Sequence, residues 1–433
     1  MRGLCVVGAV LVMLVAGCAR APVEPAPVAA APGGLVAAAV GVPTGLGEEP
    51  FDVPRRVLVP PGWTFSVWAR VPGARLAAWA PDRTLLVSRP DDGEVDRLTP
   101  GPGGATSQVL LRGLDQPHGL AFDGDTLYVA QSDQIDTYHY AAGTASFVRT
   151  LVDGLPDAKS AELGGQYAHA LKTVVISPDK SVYFSIGSSG NISAEDREAT
   201  PQRATIMRLP PGQIRPEVFA LGVRNGTGLA IAPDGSVWTA VNNRDNVGYP
   251  RDGGRYRLSR GDVDQRYVAD HPPEELARLT PGRDLGWPYC NPDPHVDAPD
   301  PDRAPGFIND VQTNPDGGRQ DCARLAPIER TFGAHSAPLG LAFATLPAPY
   351  GTGALVGIHG SWNRTPPRAP EVSFFPWSGR TLGQQRTLVG GFQAADGSRW
   401  GRPVAALPGP DGAVYITDDQ AGAVYRLAPD SRR

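Results

Sequence analysis

The hydrophobic and polar positions along the chain repeat one short unit, in which an apolar strand, a turn of the Pro-Asp-Gly type and a second apolar strand follow one another. Asp and Gly suit such a turn because they tolerate a positive φ. The copies lie at Leu76–Val87, Gly119–Val129, Thr173–Phe184, Gly228–Trp238, Gly340–Ile358 and Val404–Ile416. A hairpin repeated in this way predicts an all-β, six-bladed β-propeller, with a β-sandwich as the alternative.

One stretch of the chain departs from this spacing. Residues 249–335 are rich in Pro and Asp and contain the cysteines Cys290 and Cys322. We therefore predict a long insertion between blades four and five that is stapled by a disulfide.

The strand directions predict where polar side chains gather. Antiparallel strands place the hairpin turns on one face of a propeller and the segments before the innermost strands on the other face. The residues in those segments are Arg75, His118, His169, Arg224 with Asn225, His335 with Ser336, and Arg402. A cationic set at one channel mouth favours an anionic ligand, because guanidinium groups suit carboxylates.

His169 is the best candidate for a general base at this mouth. A histidine titrates near neutral pH, and the regular strand that follows this one would hold it rigidly. A purely structural capping role is the alternative interpretation.

The N-terminal residues predict export. An apolar run from Leu4 to Val15 is too short to span a bilayer and follows Arg2, as in a signal peptide. Leu14–Cys18 resembles a bacterial lipobox, so we expect residues 1–18 to be a lipoprotein signal peptide and Cys18 to be lipidated. An ordinary secretory signal is the alternative.

The regions after the signal also differ in composition. Residues 19–54 are rich in Ala and Pro, which predicts a flexible tether, and residues 55–430 form the predicted propeller. The expected location is extracytoplasmic, at the cell envelope or periplasm, with a membrane contact through the lipid anchor only. In that compartment the pair Cys290 and Cys322 favours a disulfide over a metal site.

Charge limits the partners. The 433 residues carry a net charge of −5 without a basic block, which disfavours a nucleic-acid partner.

Several longer strings are more distinctive than the turns. They are Gln116–Ala121, Ser185–Asn191, Arg224–Asn225, Pro281–Cys290, His335–Phe343, His359–Arg364 and Gly401–Val404. These strings resemble the soluble glucose and sorbosone dehydrogenases that use pyrroloquinoline quinone (PQQ), and the sorbosone branch is the more similar. The resemblance extends over most of the chain after Pro60.

The resemblance implies oxidation of a sugar-like alcohol or aldehyde by base-assisted hydride transfer to PQQ, with Ca²⁺ polarising the quinone. It implies that His169 is the base and that Arg224 and Asn225 lie beside the reactive quinone carbonyl. The other implied cofactor-binding residues are Arg402, Arg364, His335 and His118. The implied calcium ligands are the backbone oxygens of Asn242 and Asn243.

Two positions depart from the family pattern. Ser188 stands where the glucose enzymes have an Asp that partners the base, and Asn242 and Asn243 replace the usual Gly-Pro. The chain has no CxxCH haem motif, so the resemblance implies a separate electron acceptor. The alternatives are a propeller lactonase and a non-catalytic propeller that binds a ligand or glycan.

Overall fold

The computed structural model describes residues 34–293 and 306–430. The predicted signal peptide and Cys18 lie outside the described residues. Within the described ranges, no helix is both long enough and apolar enough to cross a membrane.

Antiparallel sheets surround a central channel as six blades, which confirms the predicted fold class. Blade one consists of β4 (Ala77–Trp79), β5 (Leu85–Arg89), β6 (Glu94–Gly101) and β7 (Gly104–Leu111). Blade two consists of β8 (Gly119–Asp123), β9 (Thr126–Ala130), β10 (Ile135–Ala141) and β11 (Thr144–Val152). Blade three consists of β12 (Val174–Ile176), β13 (Val182–Ile186), β14 (Thr205–Leu209) and β15 (Glu217–Leu221).

The second half of the ring follows the same plan. Blade four consists of β16 (Gly228–Ile231), β17 (Val237–Val241), β18 (Glu274–Leu279) and β22 (Arg330–Phe332). Between β18 and β22 lie β19 (Arg283–Asp284), β20 (Cys290–Asp293) and β21 (Gly306–Asn309). Blade five consists of β23 (Pro338–Leu346), β24 (Gly351–Ile358), β25 (Glu371–Ser378), β26 (Thr381–Leu382) and β27 (Arg386–Val389). Blade six contains β28 (Pro403–Pro408), β29 (Val414–Asp418) and β30 (Ala423–Pro429).

The two ends of the domain close the ring in blade six. Strand β3 (Trp63–Arg70) pairs antiparallel with β30, with Phe65 opposite Leu427. The sheet is extended by β1 (Val36–Gly41), parallel to β3, and by β2 (Arg56–Val59). The predicted tether of residues 19–54 is therefore wrong in its C-terminal part, because β1 finds backbone partners in the blade.

Helix is confined to short segments in the described residues. The α-helix is α1 (Gln265–Val268), and 3₁₀ turns lie at Pro90–Asp92, Ala161–Leu163, Glu195–Arg197 and Cys322–Arg324. Asp264 caps α1 by accepting a hydrogen bond from the Arg266 amide.

Close contact between innermost strands explains why several repeats begin with Gly. A Cβ on Gly119 would lie 2.6 Å from the Val174 nitrogen, and a Cβ on Gly340 would lie 2.5 Å from the Ala405 Cβ. Only glycine allows neighbouring blades to approach this closely around the channel.

The predicted insertion between blades four and five is placed differently in the structure. Strands β18 and β22, which lie within residues 249–335, are the third and fourth strands of blade four. The insertion therefore interrupts blade four, and β19 adds to the outer edge of blade three. The hairpin repeat did not reveal this, because β22 joins β18 only after a long detour of the chain.

The predicted disulfide between Cys290 and Cys322 is present, and both cysteines are buried among apolar side chains of blades three and four. The bond closes a loop with a sequence separation of 32 residues. Replacing both cysteines by Ser should lower the free energy of unfolding by about 3 kcal/mol, because the unfolded chain regains that loop entropy. Urea unfolding of the variant, with oxidised wild type as the control, measures the loss, and coincident transitions would contradict it.

Candidate active site

The mouth of the channel carries charged side chains, whereas the side chains that line the channel itself are mostly apolar. A cavity of about 120 Å³ lies between the innermost strands, and its lining includes Leu76, Leu120, Leu229, Leu341 and Leu407. Hydrogen bonds tie neighbouring blades together at the mouth, from the Thr173 hydroxyl to the Thr227 carbonyl and from the Thr417 hydroxyl to the Arg75 carbonyl. The segments before the innermost strands are therefore held in fixed positions around one opening.

His169 lies in the segment before β12 and is fixed through one ring nitrogen. Its Nδ1 is 2.9 Å from the Ser188 hydroxyl and 3.0 Å from the Ser188 carbonyl oxygen. The Ser188 hydroxyl donates its own hydrogen to the Gly190 carbonyl, so it accepts from His169. Both partners of Nδ1 are acceptors, which places the proton on Nδ1 and the lone pair of the neutral ring on Nε2.

Burial and, to a lesser extent, the nearby positive charge of Arg224 together lower the pKa of His169 to about 3. The imidazole is therefore neutral over the ordinary pH range and can accept a proton. In the described residues, no side chain or carbonyl is hydrogen-bonded to its Nε2.

Gly187 provides the space in which His169 lies. A Cβ at this position would be 2.5 Å from the His169 Cβ and 3.3 Å from the Asn225 amide oxygen. Gly187 also accepts a hydrogen bond from the Tyr167 hydroxyl. Asn225 is therefore a neighbour of the histidine.

Arg224 is buried beside His169, in the segment before β16. Its Nη2 is 3.1 Å from the Asn191 side-chain oxygen and 3.8 Å from an Asp245 carboxylate oxygen. Burial lowers the pKa of Arg224 to about 10, and the Asp245 charge opposes that shift, so the guanidinium stays cationic at neutral pH. We call His169, Ser188, Asn191, Arg224 and Asp245 the base cluster.

The predicted calcium ligands face this guanidinium. The carbonyl oxygens of Asn242 and Asn243 are 3.2 Å and 2.6 Å from Nη1 of Arg224. Two carbonyl oxygens that converge on one point are suitable ligands for a hard cation. In the structure a cationic nitrogen lies at that point.

A second group of charges lies across blades five, six and one. Asp419 accepts hydrogen bonds from His359 Nε2 at 2.8 Å and from Arg75 Nη1 at 2.7 Å. Arg402 donates through Nε to the His359 carbonyl at 2.8 Å. Burial raises the pKa of Asp419, but the hydrogen bond from His359 and the charge of Arg75 together lower it to about 2. We call Arg75, His359, Arg402 and Asp419 the arginine cluster.

One loop connects the two clusters. The segment His359–Arg364 begins in the arginine cluster, and its Asn363 donates to the Asn246 side-chain oxygen at 3.0 Å, next to Asp245. Between these anchors, Trp362 is 74% exposed. An exposed indole held between two fixed residues is suited to contact a ligand.

Three of the predicted cofactor-binding residues already contact carbonyl or carboxylate groups of the protein. His118 has no exposed surface, and its Nδ1 contacts the Lys172 carbonyl oxygen. His335 is buried between the Val268 carbonyl and the Asp245 carboxylate, so both its ring nitrogens have acceptors. Arg364 pairs with Asp270 at 3.1 Å. Of the predicted carboxylate-binding residues, Arg402 keeps a guanidinium nitrogen, Nη1, without a partner among the described residues.

Sequence reasoning did not identify several residues of these clusters as site residues. They are Asn191, Asp245, His359 and Asp419, and all of them follow second strands of blades. Their shared position, just after second strands and on the same face as His169, was the signal that could have identified them as site residues. Their partners could not be read from the sequence, because they come from other blades.

Known proteins share this architecture. A sequence model of the TrAA12-like family matches residues 59–430. A PQQ-dependent pyranose dehydrogenase from Coprinopsis cinerea is 26% identical over 368 residues, which cover 74% of this chain and 47% of that protein. An uncharacterized protein from Borreliella burgdorferi is 25% identical over 339 residues, which cover 74% of this chain and 77% of that protein.

Solved structures agree with the fold. The holo form of the PQQ domain of the Coprinopsis cinerea pyranose dehydrogenase superposes with a TM-score of 0.69 at 22% identity, covering 86% of this chain and 97% of that one. A calcium structure of a Trichoderma reesei family AA12 enzyme gives 0.68 at 20% identity, covering 86% and 97%. The PQQ-bound aldose sugar dehydrogenase from Streptomyces coelicolor gives 0.52 at 16% identity, covering 86% and 99%. The resemblance seen in the sequence is confirmed, and the chain belongs to the TrAA12-like family.

Proposed function

We propose that this protein is a PQQ- and calcium-dependent dehydrogenase that oxidises a sugar, of the pyranose or aldose type, at a carbon that carries a hydroxyl group. The observation that carries the proposal is the fixed histidine at the channel mouth. His169 has Nδ1 bound by Ser188 and Nε2 without a protein partner, next to a buried guanidinium. This is the arrangement that base-assisted alcohol oxidation requires.

The donor set at the mouth suits PQQ, which carries carboxylates and quinone oxygens. Arg75, Arg224 and Arg402 bring more positive charge than Asp245 and Asp419 balance. Burial also leaves the Nε atoms of Arg75 and Arg224 without hydrogen-bond partners. A buried donor without an acceptor costs free energy that an anionic ligand can recover.

When bound, PQQ supplies the acceptor for the hydride that leaves the substrate carbon. The residues of the chain perform the other tasks. His169 would take the hydroxyl proton at Nε2, Ser188 keeps the ring in the required tautomer, and Arg224 would present positive charge to the bound quinone. One proton and one hydride together account for the two-electron oxidation.

Trp362 supports a sugar rather than an extended aliphatic alcohol as the substrate. Its indole is exposed on the loop that connects the base cluster to the arginine cluster. A flat aromatic surface suits the C–H face of a pyranose ring, while Asn and Arg side chains nearby suit its hydroxyl groups. A sorbosone-like aldehyde remains within the proposal as a hydrated substrate.

Reconstitution tests the proposal. The full chain, freed of metal with a chelator, should show a bound-cofactor absorption band after addition of PQQ and Ca²⁺. It should then reduce a dye in the presence of aldoses, polyols or sorbosone-like aldehydes. A protein that takes up PQQ but reduces no dye with any of these substrates would contradict the proposed activity.

We also propose that the protein acts outside the cytoplasm, held by a lipid on Cys18, and passes electrons to a separate acceptor. The disulfide supports an oxidising compartment. Cys18→Ser should move the protein from the membrane fraction to the soluble fraction, because the acyl chains anchor it. Immunoblots of separated fractions measure this, and a variant that still sediments with membranes would contradict the anchor.

Ser188, which stands where the glucose enzymes have an Asp, leads to a prediction about the pH dependence of the reaction. The pKa of His169 is about 3, so we expect kcat/KM to show no acidic limb from this base above about pH 4. Ser188→Asp adds a carboxylate beside Nδ1 and should raise that pKa by about 1 to 3 units. The acidic limb should therefore move upwards by that amount, because the raised pKa keeps the base protonated to a higher pH.

The pH profiles of kcat/KM for wild type, Ser188→Asp and Ser188→Ala make the comparison. Ser188→Ala serves as the control, because the Ser188 carbonyl still accepts from Nδ1. Superimposable profiles for wild type and Ser188→Asp would rule out His169 as the titrating base.

A further inference from the structure

The two carbonyl oxygens assigned to calcium are held in place independently of Arg224. The Asn242 amide donates to the Asn225 carbonyl at 3.0 Å, and the Asn242 side chain donates to the Pro338 carbonyl at 2.6 Å. The Asn243 side-chain oxygen accepts from the Arg244 amide at 2.8 Å. This loop is rigid enough for its carbonyls to form a preorganised pair.

Arg224 Nη1 lies where those two carbonyl oxygens converge, at 3.2 Å and 2.6 Å. Calcium binds oxygen ligands at about 2.3 to 2.6 Å, so a cation on both carbonyls would occupy nearly the same place. Two positive groups cannot share this place, because they would overlap and repel each other. Occupation by the guanidinium and by a divalent cation therefore exclude one another.

We propose that Arg224 is an internal competitor of the divalent cation, and that the quinone relieves the competition by giving the guanidinium a different acceptor. This inference rests on the proposed function, since it concerns the cation and the quinone of that site. It makes the binding of the two ligands cooperative without any movement of the propeller itself.

The surroundings of Arg224 provide what such an exchange requires. Through Nη2 the guanidinium already has another acceptor, the Asn191 side-chain oxygen at 3.1 Å, and an ion-pair partner, Asp245 at 3.8 Å, while its Nε has no hydrogen-bond partner among the described residues. Without quinone, the buried Arg224 guanidinium would lose two hydrogen-bond acceptors if it moved away from the Asn242 and Asn243 carbonyls. Bound PQQ, whose carboxylates carry negative charge, would offer the guanidinium a new acceptor oxygen at the mouth.

Coupling of this kind is reciprocal. If PQQ increases the affinity for Ca²⁺ by some factor, Ca²⁺ increases the affinity for PQQ by the same factor. In the absence of quinone, the competitor reduces the cation affinity of the wild-type protein. Removal of the competing guanidinium should restore that affinity and reduce the coupling to what the contact between calcium and quinone supplies by itself.

Calorimetric titration of the chelator-treated full chain with Ca²⁺ tests this without any turnover. Arg224→Gln should bind Ca²⁺ roughly tenfold more tightly than wild type when PQQ is absent, because hydrogen bonds to a charged group no longer have to be broken. Addition of PQQ should tighten Ca²⁺ binding to wild type by a factor roughly tenfold larger than in the variant, in which only the contact between calcium and quinone couples the two ligands. Arg224→Lys, which keeps a cation at the carbonyls, should stay close to wild type.

Arg402→Gln is the matched control, because the substitution removes a positive charge from the same channel mouth. In wild type, Arg402 contacts the His359 carbonyl and not the carbonyls of Asn242 and Asn243. Without PQQ its Ca²⁺ affinity should equal that of wild type. Equal gains in Arg224→Gln and Arg402→Gln would overturn the proposal in favour of a general charge effect. A wild-type Ca²⁺ affinity that does not respond to bound PQQ would overturn it too, and this measurement needs no variant to fold.

The proposed function can fail separately from this inference. If the wild type binds no PQQ, the proposed function is contradicted, while the Arg224→Gln titration without PQQ still decides whether the guanidinium competes with the cation. If PQQ binds and sugars are oxidised, but Arg224→Gln gains no Ca²⁺ affinity, only the competition is refuted.

Discussion

Replacing His169 with Ala should lower kcat by about 10²- to 10⁴-fold, which is the usual contribution of a positioned general base. The reason is that Ser188 fixes the proton on Nδ1, so Nε2 carries the lone pair that can accept the hydroxyl proton of the substrate. Uptake of PQQ should remain close to that of wild type, because the arginine cluster and Arg224 stay intact. Dye-reduction kinetics under saturating PQQ and Ca²⁺, together with the absorption of the bound cofactor, measure the two effects separately.

His139→Ala provides the matched control. His139 is an exposed histidine on β10, where it pairs with Asp125 far along the blade from the channel mouth. Its loss should leave kcat unchanged. If His169→Ala turned over sugar at nearly the wild-type rate, the proton would have to leave by another route, and the role of the base cluster would be refuted.

The arrangement of the propeller could be predicted because it depends on local patterns. Each hairpin joins strands that are neighbours in sequence, and glycines such as Gly119 and Gly340 mark the close contacts around the channel. The face that carries His169, Arg224 and Arg402 followed from strand direction alone. These predictions needed no knowledge of contacts between blades.

The parts that sequence reasoning missed depend on contacts between distant segments. Arg75 and Asp419 are 344 residues apart in sequence and meet only because the ring closes. Strand β22 joins β18 after the disulfide-linked detour, which made an insertion inside blade four look like one between blades.

Burial was equally hard to foresee from residue types. His118, like His169, comes before an innermost strand, yet it is wholly enclosed, whereas His169 keeps some exposed surface. The convergence of two backbone carbonyls on Arg224 left no trace in side-chain identity either. Such features depend on how the blades pack together.

The named relatives favour one of the functions that the sequence left open. A lactonase would require a channel metal held by carboxylate and amide side chains. In the described residues, the channel mouth instead presents Arg75, Arg224 and Arg402. The relatives with assigned activities are named as sugar dehydrogenases.

The arginine cluster should control cofactor affinity rather than the chemical step. Arg402 uses Nε to hold the His359 carbonyl at 2.8 Å and has an unengaged Nη1 among the described contacts, so it can bind a carboxylate without breaking its own support. Arg402→Gln should weaken PQQ binding by roughly 10- to 100-fold, the value of a charge-assisted hydrogen bond. At saturating PQQ, kcat should stay within about threefold of wild type, because the base is untouched.

Arg364→Gln is the comparison that makes this prediction specific. Arg364 is already neutralised by Asp270 at 3.1 Å and bonded to the Ala269 carbonyl at 3.0 Å, so its loss should weaken PQQ binding less than the loss of Arg402. Fluorescence or absorption titrations of PQQ into both variants give the two dissociation constants. If Arg364→Gln were the more damaging change, the carboxylates would bind on the side of blade five.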